Sequence, residues 1–180
     1  LTIVGGGAAG VELAFAAKFA LKNFAENLKV TLISGTRDLL VDHNKRVRKR
    51  VLNNLAAAEI ELINQRTVGT GDGLMLSNGT IVASTKIIAA TGSRPSIWLR
   101  LSKLSIDTEG YVLVDASHRS LSHRNVFAAG NVCSRTDTRL PRSGVHAVKA
   151  GAVLAHNLIV SLTEGKLRQY RPRNTTLYLL

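Results

Sequence analysis

The run Gly5-Gly6-Gly7-Ala8-Ala9-Gly10 constrains this chain more than any other stretch. A short apolar segment, Leu1 to Val4, leads into it. Val11 to Leu28 follows, with Leu13, Ala16, Ala17, Ala20, Leu21 and Phe24 at helical spacing and Lys18, Lys22 and Glu26 outside them. Val30 to Ile33 is a second apolar strand. A strand that runs into glycines, opens a helix and returns as another buried strand is a βαβ unit, and the Gly5-x-Gly7-x-x-Gly10 spacing is that of a dinucleotide turn. Each glycine has its own task. Gly5 permits the tight turn, Gly7 leaves the backbone bare so that phosphate oxygens can approach, and Gly10 lets the helix pack against the strand. The helix start at Ala8 and Ala9 then offers unpaired N–H groups and partial positive charge to a pyrophosphate. Glu12, expected in the first helical turn, either caps the helix or contacts the nicotinamide half of the cofactor.

The end of the second strand selects the cofactor. An acid there would hold the adenosine ribose hydroxyls, but the stretch reads Ser34-Gly35-Thr36-Arg37. A small polar residue followed by an arginine suits a 2′-phosphate, so Ser34 and Arg37 favour NADPH over NADH, and FAD is disfavoured at this turn.

Asp42 is expected to cap a helix from His43 to Ala58, with a strand over Glu59–Ile63. Residues 66–84 then change character. Three short β segments, Thr67–Thr70, Leu74–Leu76 and Thr80–Ala83, are divided by Gly71-Asp72-Gly73 and Asn78-Gly79, a meander where a simple doubly wound domain would carry a crossover helix. Lys86 to Ala90 is an apolar strand ending in Thr91-Gly92. A second region begins at Ser93. It has expected strands at Tyr111–Asp115 and Asn125–Gly130 and a helix from Gly144 to Leu162.

Composition bounds the function. Of 180 residues 45% are apolar and only 4% aromatic, which suits parallel strands under closely packed helices. Cys133 is the sole cysteine, so no internal disulfide, Cys-x-x-Cys pair or cysteine zinc site can form, and no metal site is expected. No apolar run is long enough to span a bilayer, and no basic region precedes Leu1 to Val4, so a cytoplasmic location is expected. The formal charge of +12 raises nucleic acid or an anionic membrane as partners. The densest basic run, His43 to Arg50, reads as a solvated helix face or as a membrane-attracted one. It has no interleaved aromatics, and no nucleic-acid partner is expected.

Four features occur in order: Gly5 to Leu13, the meander, Ala89-Ala90-Thr91-Gly92-Ser93-Arg94-Pro95, and Asn125-Val126-Phe127-Ala128-Ala129-Gly130-Asn131-Val132. Together they resemble the flavin-dependent pyridine nucleotide–disulfide oxidoreductases, in particular the NADH dehydrogenase-like branch. The resemblance implies an α/β fold: a Rossmann-like parallel sheet with helices on both faces and an inserted β-meander, followed by a partial FAD-domain segment. It implies an NAD(P)H-binding domain over 1–92, the C-terminal part of a split FAD domain over 93–165, and the start of an interface segment over 166–180. Thr91 and Gly92 would mark the crossover between the cofactor domains, and Gly130 and Asn131 would touch the flavin's ribityl chain, with Asn131 where the family usually has Asp. The implied activity is hydride transfer from NAD(P)H to FAD and onward to a quinone or disulfide acceptor, with peripheral membrane association and a homodimer through the interface domain as further implications. His146 would lie near the flavin, either at its reactive edge or on the helix surface. A non-catalytic NAD(P)-sensing module is the competing reading.

Overall fold

The computed structural model describes residues 1–24, 27–35, 38–71, 73–140, 142–163 and 165–172. Ala25, Glu26, Thr36, Arg37, Asp72, Pro141, Glu164 and residues 173–180 lie outside the described residues. The chain divides into two compact units, one of residues Leu1–Gly92 and one beginning at Ser93.

The first unit runs β1 (Thr2–Val4), α1 (Ala8–Leu21), β2 (Val30–Ser34), α2 (Lys45–Ala57), β3 (Ile60–Asn64), β4 (Thr67–Thr70), β5 (Gly73–Leu76), β6 (Ile81–Val82) and β7 (Ile87–Ala89). Its main sheet has the order β3-β2-β1-β7, parallel throughout, with Val4 paired to Ile33 on one side and Ala89 on the other. Strand side chains alternate between the two faces. Ile3, Val30, Leu32 and Ile60 join Val11 and Ala14 of α1 and Leu55 of α2 in one core. Val4, Ile33 and Ile63 face the other way, onto Leu74, Leu76 and Val82 of the antiparallel sheet β4-β5-β6. Each fully buried branched side chain contributes roughly 1.5–3 kcal/mol. The Rossmann-like fold is present with one refinement. The described helices of this unit cover one face, and the meander itself covers the other.

Two helix boundaries differ from the sequence reading. α1 begins at Ala8, inside the glycine run, and ends at Leu21, with the Phe24 N–H bonded to the Leu21 carbonyl. Its buried residues are Gly10, Val11 and Ala14, whereas Leu13, Leu21 and Phe24 are exposed. The helix is apolar on nearly every side, so its periodicity has little contrast. α2 is capped by Asn44, not Asp42: the Asn44 Oδ1 accepts from the Val47 N–H at 2.9 Å, the N3 donor a cap must reach.

The second unit holds α3 (Trp98–Leu101), β8 (Val112–Val114), β9 (Cys133–Arg135) and α4 (Gly144–Ser161), with Leu99, Val112 and Val114 as a small core. The strand expected over Asn125–Gly130 does not form. Only an isolated bridge, Arg119 to Phe127, occurs there. Gly130 takes φ +76°, which no strand accommodates, and a 3-10 turn over Gly130–Val132 delivers the chain to β9, the parallel neighbour of β8. After α4 the chain returns along the unit. The fully buried Asn157 donates to the carbonyls of Ser117 (2.9 Å) and Arg168 (2.8 Å) and accepts from the Arg168 N–H (2.8 Å).

Candidate functional site

The glycine turn sits at the carboxyl end of β1, between β2 on one side and β7 on the other. From β1 the chain winds outward to β2 and β3 on one side and, after the meander, returns to β7 on the other, which makes the end of β1 the switch point where open α/β sheets bind ligands. Three of its glycines are dictated by packing. A Cβ on Gly5, which has φ +140°, would overlap the Ala90 carbonyl; one on Gly6 would overlap the Ser34 hydroxyl; one on Gly10 would overlap the Gly5 carbonyl. Gly7 is different. Among the described residues nothing lies within 4 Å of where its Cβ would be, and its backbone is ordinary extended chain, φ −85° and ψ −178°. The open glycine of the turn is therefore the N-cap of α1, a cap that has no side chain to offer the first-turn N–H groups. Gly7 and Ala9 are exposed and Ala8 is half-buried. The turn is fixed from beneath: the Gly5 N–H donates to the Ile33 carbonyl (2.8 Å), and the Leu40 N–H donates to the Gly6 carbonyl (2.8 Å).

The other residues singled out in this unit fall as follows. Ser34 ends β2 as expected, but it is fully buried beneath Gly6, so it shapes the turn from below. Thr91 and Gly92 follow β7 at the same carboxyl edge and are exposed, with Gly92 at φ +94°. Glu12 is not in the first turn of α1, because the helix starts at Ala8; it is exposed one turn further on. Arg37 lies outside the described residues.

The second unit has its own cavity, of about 510 Å³. Gly130 and Asn131 line it together with Ser143, the N-cap of α4, and His146 and Ala147 of that helix, and the buried His118 and Arg135 line it too. Gly130 is required by φ +76° and by the approach of α4, since a Cβ would stand 3.3 Å from that of Ala147. Asn131 is exposed at the 3-10 turn. His146 is not a surface residue. It is buried, and its Nδ1 lies 2.8 Å from the Tyr170 hydroxyl.

Sequence reasoning missed the network around that pair. Tyr170 is buried, its N–H donates to the Ala116 carbonyl (2.9 Å), and its carbonyl accepts from Arg135 Nη1 (2.7 Å). Arg135 also forms a two-point ion pair with Asp137, which holds the Asp137 carboxyl below the ordinary range. Burial of Tyr170 pushes its phenol up. The His118 ring lies 5.8 Å from that of Tyr170. Because a carbonyl only accepts, the 3.0 Å contact of His118 Nδ1 with Ala128 O places a proton on Nδ1. Desolvation lowers the His118 pKa, so the ring is neutral at pH 7. Burial pushes the Cys133 thiol up to about 11, so it stays protonated at neutral pH. The one signal in the sequence was Asp115-Ala116-Ser117: the Asp115 Oδ1 accepts from the N–H groups of Ser117 (2.7 Å) and Arg119 (3.0 Å), a turn that throws His118 into the left-handed region at φ +61°.

A profile of the family described as pyridine nucleotide-disulphide oxidoreductase matches residues 1–151. The chain belongs to that family. Among curated relatives, this family member is 27% identical to ferroptosis suppressor protein 1 of Homo sapiens, in a match covering 99% of the chain and 50% of that protein. It is 28% identical to the mitochondrial internal alternative NAD(P)H-ubiquinone oxidoreductase A1 of Arabidopsis thaliana, covering 86% of the chain and 32% of that protein. Its fold matches the water-forming NADH oxidase of Lactobacillus brevis, solved bound to NADH, with a TM-score of 0.70 and 21% identity over 88% of the chain and 36% of that structure. The chain thus spans about half the length of the human relative it matches. Among the described residues no helix is long and apolar enough to cross a membrane.

Proposed function

We propose that residues 1–92 are the NAD(P)H-binding domain, and residues 93–165 the C-terminal part of the FAD domain, of an NAD(P)H oxidoreductase. The observation that carries this reading is Gly7. In a turn where the other three glycines are filled by packing, it alone is left open, at an uncapped helix N-terminus on the switch point. That opening fits a pyrophosphate: the N–H groups of Ala8 and Ala9 point their partial positive charge at it, and Gly7 lets its oxygens reach them. Thr91 and Gly92, on the neighbouring strand end, border the path the cofactor takes across the sheet. Ser34 leaves no acid beneath the ribose, and Arg37 supplies a cation for a 2′-phosphate, so the cofactor is NADPH rather than NADH.

The residues of the second unit fit part of a flavin. Its cavity is in the size range of cofactor sites, Asn131 stands at the wall with a side chain able to bond a ribityl hydroxyl, and Gly130 brings that wall close to α4. The chemistry a flavin would supply there is acceptance of hydride and onward transfer of electrons to an acceptor. This chain's contribution is to hold and orient. Ser143 caps α4, its Oγ accepting from the His146 N–H at 3.4 Å, and Tyr170 fixes the His146 ring at the cavity wall. A quinone is the acceptor class, supported by the ubiquinone oxidoreductase among the relatives. Cys133, half-buried and protonated, offers little to a disulfide acceptor.

Separate calorimetric titrations with NADPH and NADH test the reading. NADPH is expected to bind more tightly, by about tenfold or more for a charge-assisted phosphate contact, and Arg37→Ala should erase the difference. Tighter NADH binding would overturn the NADPH assignment, and no binding of either would overturn the domain assignment.

A further inference from the structure

The carboxyl edge of the main sheet holds one cation that the cofactor reading has not used. In this fold the end of β2 faces the adenosine ribose. Ser34 closes β2 but is fully buried, and Gly35 after it is exposed. Neither offers the ribose a side chain. Nor is Gly35 demanded by its surroundings. Its backbone lies outside the left-handed region, and among the described residues a Cβ there would meet only the Cγ of Arg66, at an ordinary 3.7 Å. The bare Gly35 backbone is thus a floor along which the Arg66 stem lies.

Arg66 belongs to the short link between β3, whose last residue Asn64 is registered with Ser34, and β4, which begins at Thr67. The meander pins that link. The Ser77 N–H donates to the Arg66 carbonyl (2.9 Å), the Ser77 Oγ donates to Gln65 Oε1 (3.3 Å), and Thr67 Oγ1 donates to the Met75 carbonyl (2.9 Å). The Arg66 side chain is exposed and makes no ion pair among the described residues, whereas Arg48 is committed to Asp38 at 3.1 Å.

We infer that Arg66 is a specificity-determining residue that binds the 2′-phosphate of NADPH, with its stem on Gly35 and its main chain fixed by the meander. This rests on the NADPH reading of the first unit and deepens it. A phosphomonoester carries about −1.5 to −2 charge at pH 7. A lone exposed cation is screened and mobile and contributes little, so the selectivity assigned to Arg37 needs a second cation. Arg66 meets the requirement. Its guanidinium can fork onto two phosphate oxygens, no acid competes for it among the described residues, and a stem already laid along backbone loses less freedom on binding than a free one. The meander thereby acquires a task, which is to hold a cation beside the end of β2.

Calorimetric titration of the 180-residue chain and its variants with NADPH and NADH tests the assignment. The chain is expected to prefer NADPH by about tenfold or more. Arg66→Ala should reduce that ratio to about twofold or less by weakening NADPH alone, with Tm unchanged because the side chain is exposed. Arg66→Lys keeps the charge without the fork and should give a ratio between those two. Gly35→Asp, whose Cβ has room, places an acid where the ribose hydroxyls are read and beside Arg66, and should turn the preference toward NADH. An NADPH preference that survives Arg66→Ala, or an equal loss of both cofactors, would overturn the role of Arg66 while leaving the NADPH reading in place. A wild-type chain that binds neither cofactor, or prefers NADH, would overturn that reading and the role of Arg66 with it.

Discussion

Gly7→Val separates the packing role of the glycine turn from its binding role. At φ −85° and ψ −178°, with nothing within 4 Å of the new Cβ, valine fits the folded chain without strain. The expected loss is that of replacing a tolerable N-cap by a poor one, at most about 1 kcal/mol, or about 4–8 °C in the melting of a unit this size. Binding behaves differently. The valine methyls occupy the space through which phosphate oxygens reach the Ala8 and Ala9 N–H groups. Two charge-assisted hydrogen bonds at roughly 1.5–3 kcal/mol each total about 3–6 kcal/mol, so the Kd for NADPH should rise by roughly two to four orders of magnitude. Gly10→Ala is the converse control: its Cβ overlaps the Gly5 carbonyl, and overpacking against backbone should cost about 2–4 kcal/mol of stability. The assay is calorimetric titration beside a thermal melt. A Gly7→Val chain that melts normally and still binds NADPH at wild-type affinity would refute the reasoning.

Other outcomes follow from the second unit. Asn157→Ala removes three hydrogen bonds from a fully buried side chain and should destabilise this unit by about 2–4 kcal/mol, with faster proteolysis of the 165–172 segment as the readout. Tyr170→Phe leaves His146 Nδ1 without its 2.8 Å partner and should cost about 1–3 kcal/mol in denaturant melts. His118 has a folded pKa below its unfolded value of about 6.5. Its contribution is therefore complete above the unfolded pKa and is lost as pH falls through the folded one, because the unfolded chain binds the proton first. Melts from pH 7.5 to 5.5 should show falling stability, and His118→Leu should flatten that slope. Carboxylates held low, such as Asp137 and Asp107, act only at lower pH. Cys133, with its thiol up at about 11, should react with iodoacetamide far more slowly than a free thiol at pH 8.

What could be read in advance was what local spacing determines. The strands around Gly5 to Gly10 and the meander at Asn78-Gly79 are written in adjacent residues, and Gly79 at φ +84° with the Asn78 Oδ1 accepting from the Thr80 N–H shows why. The start of α1 was not legible because an all-apolar helix gives no contrasting face, and that misplaced Glu12 by a turn. Asp42 and Asn44 are both good caps two residues apart, and only the geometry of the Val47 N–H decides between them. Around the second cavity the missing information was long-range. His146 meets Tyr170 across 24 residues, and Asn157 meets Ser117 across 40. No spacing rule links such pairs. The cavity residues Gly130, Asn131 and His146 were legible only through resemblance, whereas His118, Arg135 and Tyr170 became visible only when the chain was folded.

The most direct test of the central claim is an NMR titration of the chain with NADPH, following backbone amides. Saturable shifts are expected to be largest at Gly7, Ala8 and Ala9, with smaller ones at Thr91 and Gly92 on the neighbouring strand end. Shifts confined to other surfaces, or none at saturating NADPH, would contradict it.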